Sequence, residues 1–169
     1  YKNSNLTKSY FDWGQMLENN KQGFYPYTPA VNLLYALNEA VDMLLEEGLE
    51  NVFKRHKRHA DATRIAVETW GLEILAKNPI ERSDSITAIM TPESHDSDSL
   101  RKLIYDRYNM SLGTGLNKVK GRVFRIGHMG DLNDLTLAGT LSGVEMGLGQ
   151  SGIPFKKGGV MAALDFLSK

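Results

Sequence analysis

The sequence predicts an α+β fold, a small and mostly antiparallel sheet with helices on one face. Two long stretches near the start carry apolar residues at helical spacing, and short runs of alternating apolar residues follow them. The predicted order is helix, helix, strand, strand, helix, strand, helix, which implies this arrangement. With 169 residues, the chain has the size of one domain with a substantial core.

Composition excludes several classes of function. The formal net charge is +0, so no general attraction to nucleic acid or to an anionic membrane is expected. The chain has no cysteine, which excludes disulfides, thiol nucleophiles and cysteine metal ligands. No apolar run is long enough for a membrane span, and the first residues do not resemble a signal peptide. We therefore expect a cytoplasmic protein. The chain begins without methionine, so we also expect it to be part of a longer one.

Residues 1–28 are predicted to be a connecting segment, and residues 29–169 a compact domain. The segment is polar and irregular, with a short helix possible over residues 12–18. Its aromatic residues do not repeat at a helical period, so they are interpreted as anchors onto another surface: Tyr10, Phe11 and Trp13.

The first long helix is predicted to begin at Thr28 and to end near Glu47, before Gly48. Thr28 is a favourable N-cap, and Pro29 suits the first helical position. Its apolar stripe consists of Leu34, Leu37, Val41 and Leu44. Backbone N–H groups at this helix start, with the Thr28 hydroxyl and the Tyr25 phenol, could hold a phosphate. The alternative is an ordinary capped helix with packed tyrosines.

The second helix is predicted over residues 49–70, with a basic face. His56 and His59 share one side of it, but no glutamate between them completes a zinc motif, so both are interpreted as solvated. The zero net charge and the lack of interleaved aromatics argue against nucleic acid on the basic face.

The remaining elements alternate between short strands and helices. Strands are predicted over residues 72–76 and 85–91, and a helix over 96–108. A loop containing His95 is too loose for a metal site, and no metal is expected. Residues 113–121 are predicted to be a flexible basic loop. Another helix follows Asp131 as its N-cap, residues 149–159 form a glycine-rich loop, and a terminal helix covers 160–167.

The most informative strand is predicted over residues 122–126 and contains an arginine. Alternation places Phe124 and Ile126 on one face and Arg125 on the other, between Val123 and Gly127. A guanidinium with open space beside it suits a carboxylate or a phosphate in bidentate contact. The alternative is a structural arginine paired with a buried acid.

Four motifs carry a resemblance to a known family. They are FYPYTPAVNLLY at residues 24–35, LLEEGL at 44–49, MSLGTGL at 110–116 and VFRIGHMGD at 123–131. In this order they resemble the C-terminal third of a class V pyridoxal-phosphate aminotransferase, closest to the serine–glyoxylate branch within the alanine–glyoxylate group. The resemblance covers nearly the whole chain.

The resemblance implies a homodimer of fold type I, in which this chain supplies the small C-terminal domain. Arg125 matches the arginine that binds the substrate carboxylate, and Tyr25 and Thr28 match residues that reach the pyridoxal 5'-phosphate of the neighbouring subunit. The implied reaction moves an amino group from an amino acid such as serine to glyoxylate, which gives glycine. The cofactor-binding lysine is not identifiable and is expected upstream of Tyr1, so no catalytic residue is assigned and the chain alone is expected to be inactive.

Other interpretations remain at this point. The chain could be a non-catalytic binding or dimerisation module of the same fold, or could serve another class V reaction such as cysteine desulfuration or phosphonate transamination. A hydrolase built on His128 and Asp131 is disfavoured because no nucleophile motif accompanies them.

Overall fold

The computed structural model describes residues 3–169; Tyr1 and Lys2, which open the predicted connecting segment, lie outside the described residues. Contacts divide the chain into two compact units, Tyr1–Gly48 and Leu49–Lys169. The assignment of residues 1–28 to a connecting segment of a larger domain stays a prediction. None of the helices in the described part of the chain combines the length and the apolar character that a membrane crossing requires.

The first unit contains two helices, α1 (Trp13–Asn20) and α2 (Val31–Glu47). Asp12 caps α1 by accepting a hydrogen bond from the N–H of Gly14 at 2.8 Å. Gly48, with φ of 80°, ends α2 as predicted. None of the described residues of this unit is buried, and apolar side chains are exposed around α2: Leu33, Tyr35, Leu37 and Leu45. A unit without buried apolar surface has little hydrophobic stabilisation of its own.

The second unit is built on one antiparallel sheet. Its strands are β1 (Glu73–Ile74), β2 (Ile86–Met90), β3 (Gly113–Thr114) and β4 (Val123–Gly127). They lie in the order β1-β2-β4-β3, and every neighbouring pair is antiparallel. The predicted α+β class with a small antiparallel sheet is confirmed.

Helices cover one face of this sheet. They are α3 (Leu49–Trp70), α4 (Ser97–Tyr108), α5 (Asp134–Ser151) and α6 (Gly159–Leu167). Phe124, Ile126 and Ile89 point to this face and are fully buried, in one core with Trp70 and Leu141. On the other face of β2 and β4, Ala88 and Arg125 are only half-buried. This open face is the part of the fold that positions the candidate site.

Two boundaries of α5 differ from those predicted. Asn133, not Asp131, is the N-cap, because its side chain accepts a hydrogen bond from the N–H of Thr136 at 2.9 Å. The helix also continues through Gly149 to Ser151 and ends at Gly152, whose φ is 76°. Near its end, Gly147 permits close packing, because its backbone lies against the buried side chain of Ile104.

A half-buried carboxylate joins three helices of the second unit. Glu145 of α5 accepts hydrogen bonds from Trp70 Nε1 of α3 at 2.8 Å and from the N–H groups of Gly158 and Val160 at 2.9 and 3.0 Å. Burial alone would raise the pKa of Glu145, but these donors outweigh it and the pKa is lowered. Glu145 thus satisfies the free N–H groups at the start of α6.

Candidate functional site

Arg125 lies in the middle of β4 on the open face of the sheet. Its side chain is half-buried, and its Nε is buried without a hydrogen-bond partner. Among residues 3–169, no carboxylate forms a salt bridge with it. The interpretation of a structural arginine paired with a buried acid is therefore not supported by the described residues. An arginine that has lost part of its hydration without gaining a partner favours binding of an external anion.

The strands on both sides of β4 present small residues to Arg125. Ala88 of β2 and Gly113 of β3 are its direct partners across the two antiparallel pairs. Directly opposite residues share a face of the sheet, so both lie beside the arginine side chain. Gly113 provides one flank from β3, a strand that the sequence did not predict, and its missing side chain lets the side chain of Arg125 lie directly against it.

His128 locks the end of β4. It is buried, its Nδ1 lies 3.1 Å from the carbonyl oxygen of Asp84, and its Nε2 lies 2.9 Å from Thr87 Oγ1. Because a carbonyl only accepts, Nδ1 carries the proton and Nε2 accepts from the threonine hydroxyl. Burial lowers the pKa of His128 from 6.5 to about 4. This neutral, fully bonded imidazole has a structural role.

The side of α3 that was predicted to be solvated instead holds the turn after β4. Arg55 donates to the carbonyl oxygen of Gly130 at 2.6 Å, and His56 Nε2 accepts from the N–H of Gly130 at 3.0 Å. His59 is buried, and its Nε2 donates to Asp134 Oδ1 at 2.9 Å. The prediction of solvated histidines was wrong because the beginning of α5 packs onto this face.

Asp134, at the start of α5, accepts hydrogen bonds from two side chains of α3. Arg58 donates to its Oδ1 at 2.6 Å, beside the bond from His59. The hydrogen bond from Arg58 is the main cause that lowers the pKa of this carboxylate, and the bond from His59 adds to it. The spacing of Arg55, His56, Arg58 and His59 on one helical face was the available sequence signal for this cluster. Its effect is to fix the turn that follows the strand of Arg125.

Tyr25 and Thr28 lie in the first unit, in the stretch before α2. Both side chains are exposed, and neither hydroxyl has a hydrogen-bond partner among residues 3–169. They line a cavity of about 310 Å³ with Tyr10, Met16, Leu33 and other residues of this unit. The structure thus places Tyr25 and Thr28 together, whereas Arg125 belongs to the second unit.

The predicted N-cap role of Thr28 was wrong. Helix α2 begins at Val31, and Ala30 is its N-cap without a side-chain bond. The N–H of Val31 bonds to the carbonyl oxygen of Pro29 at 2.9 Å, which makes an inverse γ-turn at Ala30 (φ −76°, ψ 73°) and delays the helix. Within the described residues, the N–H groups of Asn32 and Leu33 consequently have no partner. The two hydroxyls and the two N–H groups are donors of the kind that bind phosphate at helix starts.

A metal ion needs several ligating side chains close together. In the part of the chain that the structure describes, no group of three or more His, Asp or Glu residues could hold a metal ion. The predicted loop histidine, His95, contacts Ser94 Oγ through Nδ1 at 3.0 Å.

Known proteins similar to this chain carry related names. Serine–glyoxylate aminotransferases from Methylorubrum extorquens and Arabidopsis thaliana are 49% and 48% identical to it over 167 and 168 residues, 98% of this chain in each case. A ureidoglycine–glyoxylate aminotransferase from Bacillus subtilis has a crystal structure that matches 99% of the chain with a TM-score of 0.89 and 28% identity. The chain belongs to the class V aminotransferases. No family model matches it.

This class V aminotransferase chain spans only part of its relatives. It covers 42% of both serine–glyoxylate aminotransferases and 44% of the Bacillus subtilis chain. The resemblance stated from the four motifs is confirmed, and so is the fold that it implied. The roles of Arg125, Tyr25 and Thr28 stay predictions, as do the dimer and the compartment.

Proposed function

We propose that the whole protein is a pyridoxal-phosphate-dependent transaminase that moves an amino group from an amino acid such as serine to glyoxylate. The observation that carries this proposal is the unpartnered guanidinium of Arg125 on the open face of the sheet. Relatives named for serine and glyoxylate support the choice of substrates. Both substrates have a carboxylate next to the reacting carbon, so one arginine can serve donor and acceptor in turn.

Arg125 acts by holding and orienting that carboxylate. Its planar fork makes two parallel hydrogen bonds, which fix the direction of the substrate as well as its position. Such orientation can supply several kcal/mol of the reduction in the barrier. The hydrogen bonds of His128 and Asp134 hold the two ends of the turn that follows β4. The strand that carries Arg125 is therefore fixed before substrate binds, and the arginine does not need to reorganise.

The cofactor's phosphate is proposed to bind at the start of α2. The hydroxyls of Tyr25 and Thr28 would donate hydrogen bonds to it, and the N–H groups of Asn32 and Leu33 would add the positive end of the helix. The resemblance assigns these contacts to the neighbouring subunit of a homodimer. When bound, pyridoxal 5'-phosphate supplies the electron sink that makes transfer of the amino group possible. The lysine that holds the cofactor would come from a larger domain outside this chain.

Exposed apolar surface supports a partner for the first unit. Leu33, Tyr35 and Leu45 of α2 are 71%, 75% and 65% exposed, although the helix is strongly apolar. Large apolar side chains exposed around a helix in this way indicate a surface that another part of the protein or a partner covers. A large domain and a second subunit that cover α2 would give this unit the buried surface that it lacks alone.

A donor panel with the purified whole protein tests the proposal. Serine, alanine and aspartate are each supplied with glyoxylate and pyridoxal 5'-phosphate, and glycine formation is measured. Serine is expected to support glycine formation most effectively. If none of the donors supports glyoxylate-dependent activity, the result favours an inactive module. If the protein desulfurates cysteine or acts on a phosphonate amine, the result favours another class V reaction.

A further inference from the structure

We propose that Gly113 is a positioning residue, whose missing side chain sets where the guanidinium of Arg125 lies and thereby the affinity for the substrate carboxylate. The inference rests on the proposed function of Arg125 and adds a second residue to that site. Gly113 belongs to β3, the edge strand, and is the direct partner of Arg125 on β4.

Space, rather than backbone conformation, requires glycine at this position. A Cβ on Gly113 would lie 3.0 Å from both Cβ and Nε of Arg125 and 3.5 Å from its Cζ. Approaches this short are tighter than ordinary van der Waals contact, so the arginine would have to move. Gly113 is absent from the glycines with positive φ, and an alanine could therefore adopt its backbone conformation.

The nearby Gly115 has a different reason to be glycine. A Cβ there would lie 2.1 Å from the carbonyl oxygen of Val119, which is fixed backbone. The two glycines of this motif thus divide their roles: Gly115 permits the close approach of two chain segments, and Gly113 leaves room for a functional side chain.

The opposite flank of Arg125 leads to the same conclusion. Ala88 of β2 occupies the other side, so the arginine lies between the two smallest residue types. A methyl group at residue 113 would push the guanidinium toward Ala88 or away from the sheet. Either movement changes the direction of the fork and so weakens its two parallel hydrogen bonds to the substrate carboxylate.

The test uses Gly113→Ala in the whole protein, with Gly139→Ala as the matched control. Gly139 lies in α5, and an added Cβ there meets nothing within 4 Å. We expect Gly113→Ala to raise KM for both donor and acceptor about tenfold or more, with a smaller change in kcat. Gly139→Ala should leave both constants unchanged.

A double-mutant cycle separates positioning from a general effect on folding. If Gly113 acts through Arg125, Gly113→Ala should add little to the KM increase of Arg125→Lys. Ala88→Val provides a second route, since it crowds the arginine from the other flank and valine suits a strand; it should raise the same two KM values. Unchanged KM values in Gly113→Ala, or a lowered melting temperature with unchanged KM values, would overturn the inference. Unchanged KM values in Arg125→Lys alone would instead refute the proposed function.

Discussion

His128 makes the folded protein sensitive to mild acid. Burial lowers its pKa from 6.5 to about 4, whereas the unfolded chain binds a proton near pH 6.5. The unfolded state therefore holds more protons between these values, so this contribution is fully present above pH 6.5 and is lost as pH falls toward 4. Linkage gives a loss of about 1 kcal/mol between about pH 7.5 and 5.5, and about 2–3 kcal/mol by about pH 4.5.

Urea unfolding followed by circular dichroism measures this dependence. We expect the free energy of unfolding to decrease by about 1 kcal/mol from about pH 7.5 to 5.5, a range above the ordinary pKa of carboxylates. His128→Asn should be less stable at neutral pH, because Thr87 and Asp84 lose a partner, and should lose this pH dependence. His95→Asn is the control and should keep it. A wild-type stability that stays constant over this range, or a dependence that survives in His128→Asn, would refute the account of His128.

Two further predictions concern other parts of the chain. Gly147→Ala should destabilise the second unit by about 1–3 kcal/mol, because its Cβ would lie 2.4 Å from the buried Ile104, whereas Gly139→Ala in the same helix should stabilise it by up to about 1 kcal/mol. Thermal unfolding checks the pair, and equal melting temperatures would contradict the packing argument. Thr28→Ala in the whole protein should weaken retention of pyridoxal 5'-phosphate on dialysis more than it lowers turnover at saturating cofactor, while Thr28→Ser should retain the cofactor; equal affinity in the alanine variant would exclude this phosphate contact.

Elements with strong periodicity were predictable from the sequence. Helix α3 has the bounds that were predicted, because its apolar positions continue without interruption to Trp70 and Gly71 then ends the pattern. By contrast, β3 was missed. It has two residues, Gly113 and Thr114, and exists only through its pairing with β4. A strand this short has no periodic signal, and tertiary pairing determines it.

Within the candidate site, the sequence predicted the position of Arg125 but not the contacts around it. Alternation placed the side chains of Arg125 and Phe124 on opposite faces of one strand, and the structure confirms that placement. The burial of His59 could not be read from its helix, because the residue that binds it, Asp134, lies 75 positions later in the chain. For Thr28, a favourable local signal was overridden by the γ-turn at Ala30. Short-range patterns thus located the charged group, while the contacts that position it depended on long-range packing.

The central claim is that Arg125 binds the carboxylate of both substrates. The most direct measurement compares KM for serine and for glyoxylate in the whole protein and in Arg125→Lys, with Arg122→Lys as a control one residue before β4. A lysine keeps the charge but loses the bidentate fork, so both KM values should rise about tenfold or more, while Arg122→Lys leaves them unchanged. Wild-type KM values for both substrates in Arg125→Lys would contradict the claim.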